Sequence, residues 1–407
     1  MAGSDRGDLT RTAILSLLGT VGPLSRSEIA RELDVSPATV TQLTRELMGH
    51  GMVEELDLKP SRGGRPAQRL GLVGGAWHAL GVKVTADHLV LVDVRLDGEV
   101  LGSWVRPFDP GAADAPGDLA DAIESVLSAI IDGPPLLGVG VGVPGGVDDQ
   151  GVGTVNAPTL GWQAMPVGER LRRRLNLPVL VENDVNALAA AQRLYGRGRT
   201  HRDFLVLTIG RGVGAAIVAD GRVYRGARGG AGEFGHLCVD PRGPACGCGA
   251  RGCLEAFVGS AGLLAAARAR SGDAPAPDGV ADPLGAVAAL GRAAVGGDPV
   301  ACEVFAEAGE ILGRATAGLV NVVDPEVVVV LGEGTADWPF WQVGFDRALR
   351  AQLYPGRRDI SVEVESWDET SWAQGAAALV LATPFDAAGA AGEQGRLVRA
   401  RLIGTTP

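Results

Sequence analysis

At 407 residues the chain exceeds what one hydrophobic core usually organises, so two or three domains are expected. Its hydrophobic content of 46% and charged content of 21% are those of a globular protein, and no apolar run approaches the ~18 residues of a transmembrane helix. The net charge of −11 argues against a protein that coats nucleic acid through bulk charge. The charge is uneven, however. Residues 1–70 carry nine basic and nine acidic groups, and Lys59, Arg62, Arg65 and Arg69 lie in a stretch without an acid between Leu58 and Ala86. The start, MAGSDRGDLTRTA, has no apolar signal-peptide core, so a cytoplasmic location without a membrane partner is expected.

In chain order, residues 8–20 place Ile14, Leu15, Leu17 and Leu18 on a helical pattern with Asp8 as N-cap, and Gly22-Pro23 breaks it. Ser25 then caps SRSEIARELDV, with Glu28 at capping-box spacing. A turn at Asp34-Val35 leads to Ser36, the cap of a third helix whose first position is Pro37. Two strand-like pieces, MVEELDL and QRLGLV, flank KPSRGGRPA. Three helices and a β-hairpin are the order of a winged helix-turn-helix, here residues 1–72. That arrangement turns the start of the third helix toward base edges and nominates Ser36, Ala38, Thr39, Thr41, Gln42 and Arg45 as DNA contacts. Val40, Leu43 and Leu47 form its buried face; a helical protein-docking module would carry the same pattern. Arg62 and Arg65 sit in a glycine-flexible wing loop suited to a narrow minor groove, although such a loop taken alone reads as a solvated turn.

From Trp77 the chain alternates strands (ALGVKV, HLVLVDV, LLGVGVGVP, PVLVEN, FLVLTIG, GAAIVAD, VVVVLG) with helices over 118–131, 166–175, 184–195, 254–270, 299–323 and 372–383. This is an α/β architecture. Residues 271–284 read as a surface loop, Gly71–Gly75 as a separating linker and 385–407 as a flexible tail.

Three of the five cysteines cluster, and an odd number without an export signal points to a metal site rather than a disulfide frame. His236, Cys246, Cys248 and Cys253 supply one imidazole and three thiolates, the donor set of a closed tetrahedral zinc site, one per chain. Cys238 and Cys302, alone in apolar stretches, read as packing residues. Asn183-Asp184 stands between a strand and a helix, where a carboxylate could accept the proton of a sugar hydroxyl and where an Asx residue also caps a helix. The glycine-rich strand 137–146 ends in a turn that lets backbone approach a ligand.

The run GGAGEFGH followed by CGCGARGCLE, with VENDVNA and GVPGGVDDQG, resembles the ROK family of repressors, open reading frames and sugar kinases over residues 77–384. A winged helix in front is what the family's repressor branch carries, xylose and N-acetylglucosamine repressors included. The resemblance implies a two-lobed actin/hexokinase-like (ribonuclease H-like) fold with a sugar in its cleft. Lobe I would be 77–190 plus the helix 372–384, and lobe II 191–371 with the zinc loop. It also implies sugar contacts from Gly145, Asn183, Asp184, Glu233, His236 and Glu255. Asp184 matches the kinases' catalytic base, and His236 would divide its two ring nitrogens between zinc and sugar.

The chain departs from the kinases at their nucleotide loops. The family's Asp-x-Gly-Gly-Thr-Lys phosphate loop is replaced by Lys83-Val84-Thr85-Ala86-Asp87, with Lys83 at the aspartate position. Gly210-Arg211-Gly212 lacks the usual threonine, and an arginine there is compatible with holding a sugar phosphate. Gly332-Glu333-Gly334 puts an acid in the adenosine-side loop. Phosphoryl transfer depends on positioning and on metal held at the phosphates, so the expectation is a sugar-responsive transcriptional regulator, not an enzyme. Its partners would be operator DNA and a sugar or sugar phosphate, in a homodimer or homotetramer. A bifunctional DNA-binding kinase is the alternative.

Overall fold

A computed structural model describes residues 10–59, 67–148, 152–272, 282–385 and 392–402, except 12, 16 and 20. Arg62 and Arg65 lie outside the described residues. The chain forms two compact units: Met1–Thr200, Arg228–Gly230 and Glu369–Pro407 in the first, His201–Ala227 and Ala231–Asp368 in the second.

The first unit opens with α1, helical at the described residues between 10 and 21. It continues through β1 (Leu24–Ser25), α2 (Arg26–Glu32) and α3 (Pro37–Gly49) to the wing, β2 (Val53–Lys59) and β3 (Ala67–Leu72). The capping box forms: the Ser25 hydroxyl accepts the Glu28 amide while the Glu28 carboxylate accepts the Ser25 amide at 2.9 Å. β1 pairs with β3, giving the order β1-β3-β2. Ile14, Ile29, Val40, Leu47 and Leu70 fill the core beneath.

The rest of the first unit is β4 (His78–Val84), β5 (His88–Arg95), β6 (Val100–Pro107), α4 (Ala115–Ala129), β7 (Leu136–Val143), a small sheet of β8 (Gly146–Val147), β9 (Val155–Ala157) and β10 (Trp162–Met165), then α5 (Val167–Leu175), β11 (Val179–Asn183) and α6 (Asp184–Leu194). Its main sheet has the order β11-β7-β4-β5-β6, a three-stranded antiparallel meander extended by two parallel strands.

The second unit repeats this plan. It holds β12 (Phe204–Ile209), β13 (Val213–Ala219), β14 (Arg222–Val223), α7 (Glu255–Val258), α8 (Ser260–Ser271), α9 (Pro283–Val295), α10 (Pro299–Val323), β15 (Val327–Leu331), α11 (Trp338–Gln352) and β16 (Ser361–Val364). Its sheet runs β14-β13-β12-β15-β16, again a meander followed by two parallel strands.

The chain then returns to the first unit with α12 (Ser371–Leu381) and α13 (Gly392–Leu402). α12 lies directly on the sheet because β4 and β7 offer it glycines: a Cβ on Gly81 would strike the Ala373 carbonyl, and one on Gly140 the Ala376 carbonyl.

Two expectations from sequence are corrected here. The segment 385–407 is not simply a flexible tail, since 392–402 is a helix that buries Val398 and Leu402. Nor do residues 71–75 form a separating linker. Leu72 ends a strand, and a Cβ on Gly74 would collide with Asp97. Leu15 and Met52 of the winged helix, Trp77 and Leu96 of the sheet and Leu402 of α13 meet around a cavity of about 10 Å³. The winged helix and the main sheet of this unit therefore share one hydrophobic core. Among the described residues no helix is long and apolar enough to cross a membrane.

Candidate effector site, metal centre and DNA-binding face

The DNA-facing candidates sit on one side of α3. Ser36, Ala38, Gln42 and Arg45 are exposed, Thr39 and Thr41 are half-buried, and Val40, Leu43 and Leu47 turn inward. Ser36 spends its hydroxyl on capping, accepting the Thr39 amide at 3.1 Å, and Thr41 donates to the Pro37 carbonyl at 2.8 Å. Gln42 donates to Glu46 at 3.1 Å. Hydrogen bonds from Arg11, then from Gln42, hold the Glu46 carboxyl below its ordinary range, and the Arg11 ion pair offsets this acid on α3. Arg26 and Gln68 were not nominated from sequence. With Ser25, Ser27, Pro37 and Thr41 they line a groove of about 320 Å³ beside α3.

In the first unit, Gly145, Asn183 and Asp184 come together at the ends of β7 and β11. Gly145 has φ of 116°, and a Cβ there would strike the Asn156 carbonyl, so only glycine fits the turn. Its carbonyl accepts the Asn183 side-chain amide at 3.0 Å. The Asn183 side-chain oxygen Oδ1 caps α6, accepting the Val185 and Asn186 amides at 3.0 and 3.1 Å. Asp184 accepts the Val185 amide through Oδ1 at 2.9 Å.

Its other oxygen, Oδ2, is held by Lys83 Nζ in an ion pair that is almost fully buried. The Lys83 ammonium also lies over the Trp372 ring, 4.6 Å from its centroid. Lys83 thus binds one of the residues nominated from sequence as a sugar contact. Trp372 was not nominated from sequence, and the Lys83–Asp184 pairing was not foreseen. The available signal was that Lys83 is one of two lysines, the other being Lys59, in a chain that otherwise uses arginine, and that it sits inside an apolar strand.

In the second unit, Glu233 precedes and His236 ends the short turn Phe234–His236, and Glu255 begins α7. His236 Nδ1 faces Cys246 Sγ at 3.6 Å, and its Nε2 lies 3.9 Å from Glu233. The ring therefore offers one nitrogen to the cysteines and the other to the acid. The donor atoms of His236, Cys246, Cys248 and Cys253 all lie within 4.8 Å of one another, and this set can hold a metal ion. Tight backbone turns bring them there: the Cys246 amide donates to the Ala250 carbonyl at 2.8 Å, and the Gly249 amide to the Cys246 carbonyl at 3.0 Å. Burial, followed by the thiols of Cys248 and Cys246, pushes the Cys253 thiol up to about 12, whereas Cys248 is lowered, chiefly by the Ala250 backbone. A cation that prefers thiolates suits such a set. Cys238 corrects its sequence reading: it is exposed, bridged to Cys253 through backbone and absent from the donor set.

Two acids of the second unit pack against the turn 210–212. Glu255 accepts the Val213 amide at 3.2 Å, beside the turn 210–212. A Cβ on Gly210 would strike a Glu333 carboxylate oxygen, so this acid stands against the turn.

The sequence matches the ROK family over residues 80–383. The chain belongs to the ROK family. Residues 8–59 match the MarR family, whose winged-helix domain precedes the ROK region. The DNA-binding transcriptional dual regulator NagC of Escherichia coli is 29% identical over 337 residues, covering 80% of this chain and 81% of that protein. The xylose repressor of Caldicellulosiruptor bescii is 28% identical over 380 residues, 88% of this chain and 92% of its own. A crystal structure described as a ROK family transcriptional regulator, homologous to E. coli MLC, superposes with a TM-score of 0.81 at 26% identity, covering 98% of this chain and 99% of that one. The fold is accordingly a winged helix-turn-helix followed by the ROK actin/hexokinase-like α/β fold.

Proposed function

We propose that this ROK protein is a sugar-responsive transcriptional repressor that has lost kinase chemistry. The observation that carries this is the Lys83–Asp184 pair in a chain headed by a winged helix. A carboxylate neutralised by a neighbouring ammonium is a poor general base for a sugar hydroxyl. The NagC and xylose-repressor similarities support the regulatory role. DNA contacts would come from Ser36, Ala38, Thr39, Thr41, Gln42 and Arg45, with Arg62 and Arg65 in the wing. Sugar hydroxyls would meet Gly145, Asn183, Asp184, Glu233, His236 and Glu255. An even-numbered homo-oligomer, a dimer or tetramer, would match a palindromic operator.

His236, Cys246, Cys248 and Cys253 would hold one zinc ion, which would fix the loop and the orientation of the His236 ring without taking part in a reaction. Purified protein is expected to contain about one zinc per chain by elemental analysis. Cys248→Ser should lower that content and weaken sugar binding, and zinc-free protein purified without chelator would refute the assignment.

Operator titration tests the function as a whole. DNA selected from a random library should bind, and a cognate sugar alone should change that affinity without ATP being consumed. Gln42→Ala or Arg45→Ala should cost about 1–3 kcal/mol at one or two operator positions only. Sugar-dependent ATP hydrolysis abolished by Asp184→Asn would favour the bifunctional kinase instead.

A further inference from the structure

We infer that the effector is an unphosphorylated sugar and that the Lys83–Asp184 pair selects it over a sugar phosphate. This rests on the sugar-responsive function proposed above and names the class of sugar. The pair carries no net charge, and both residues are 8% exposed. Of the ammonium's three N–H groups, one goes to Asp184, and the Trp372 face supports the cation from another side. Asp184 retains acceptor capacity beyond the Val185 amide and Lys83, because a carboxylate has about four lone-pair sites.

A hydroxyl group both donates and accepts. It can therefore join the pair, giving its proton to Asp184 and taking one from Lys83, while the charge of the site stays unchanged. A phosphate monoester brings about −1.5 to −2 charges at neutral pH, and its dianion has no proton to donate. Binding it here means either drawing Lys83 away from Asp184 or setting the dianion against that carboxylate. Each leaves buried charge without a partner.

The test is calorimetric titration of the full-length protein and of Asp184→Asn and Lys83→Met. The ligands are neutral hexoses, pentoses and N-acetylhexosamines together with their terminal phosphate monoesters. The wild type should bind at least one neutral sugar and its phosphate at least ~100-fold more weakly, the scale of an unpaired buried charge. Asp184→Asn frees the ammonium from its counter-ion, so the discrimination should shrink by at least ~10-fold. Lys83→Met leaves Asp184 negative and should weaken the sugar without rescuing the phosphate. A wild-type protein that binds a sugar phosphate as tightly as its parent sugar overturns the inference. So does a folded Asp184→Asn protein with undiminished discrimination, which would put selection elsewhere. If nothing in the panel binds while operator binding is intact, the sugar-responsive function itself falls, and this inference with it.

Discussion

Lys83→Met is expected to destabilise the first unit by about 3–5 kcal/mol, and combining it with Asp184→Asn should cost less than the two single changes together. The reason is the location of the pair. Lys83 lies on β4, the central strand of the sheet, whose residues are all buried, and Asp184 opens α6 directly after β11 of the same sheet. Removing one partner leaves the other charge in low dielectric, whereas removing both leaves only a modest polar mismatch. Asn at 184 can still accept the Val185 amide, so the α6 entry survives. Chemical denaturation followed by tryptophan fluorescence reads the effect, and Trp372, which lies against Lys83, supplies a local probe. Strictly additive losses in the cycle would mean that the two side chains are not coupled, and the account of the silenced kinase base would lose its footing.

The sequence made the local devices of this protein legible. Ser25 and Glu28 sit three apart and form the capping box, Ser36-Pro37 opens α3, and the Cys-Gly-Cys run gathers with His236. Each depends on residues close in the chain, where spacing nearly determines geometry. What escaped depends on distance. Lys83 and Asp184 are 101 residues apart, and only the parallel pairing of β4, β7 and β11 brings them together. The edge strand β6 was missed because VLGSWVRP alternates half-buried with exposed positions and so lacks a solid apolar run. The single helix expected over 254–270 breaks at Gly259, whose extended backbone separates α7 from α8. α13 was lost behind a Gly/Ala-rich lead-in, since GEQGRLVRARL shows its apolar side mainly as Val398 and Leu402, four residues apart.

That last helix motivates the second large effect. Leu402 is 5% exposed and reaches the seam where Leu15 and Met52 meet Trp77 and Leu96. The helix is fastened to the sheet by polar contacts as well: Gln394 accepts the Val179 amide at 3.3 Å, and Arg401 donates to the Leu136 carbonyl at 3.3 Å. α12 and α13 thus run from Trp372, beside the Lys83–Asp184 pair, to the underside of the winged helix. Leu402→Ala should cost about 2–3 kcal/mol, at the lower end for a buried leucine because a seam near the chain end can relax. Leu402→Asp should cost more, since an unpaired carboxylate would enter an apolar contact. In the Asp variant the winged helix should melt before the rest of the protein, giving two thermal transitions. Sugar titration should then no longer change operator affinity, because the packing that joins the two functions has been cut. Retention of one transition at the wild-type temperature, together with wild-type sugar response, would show that α13 rests on this core without transmitting anything through it.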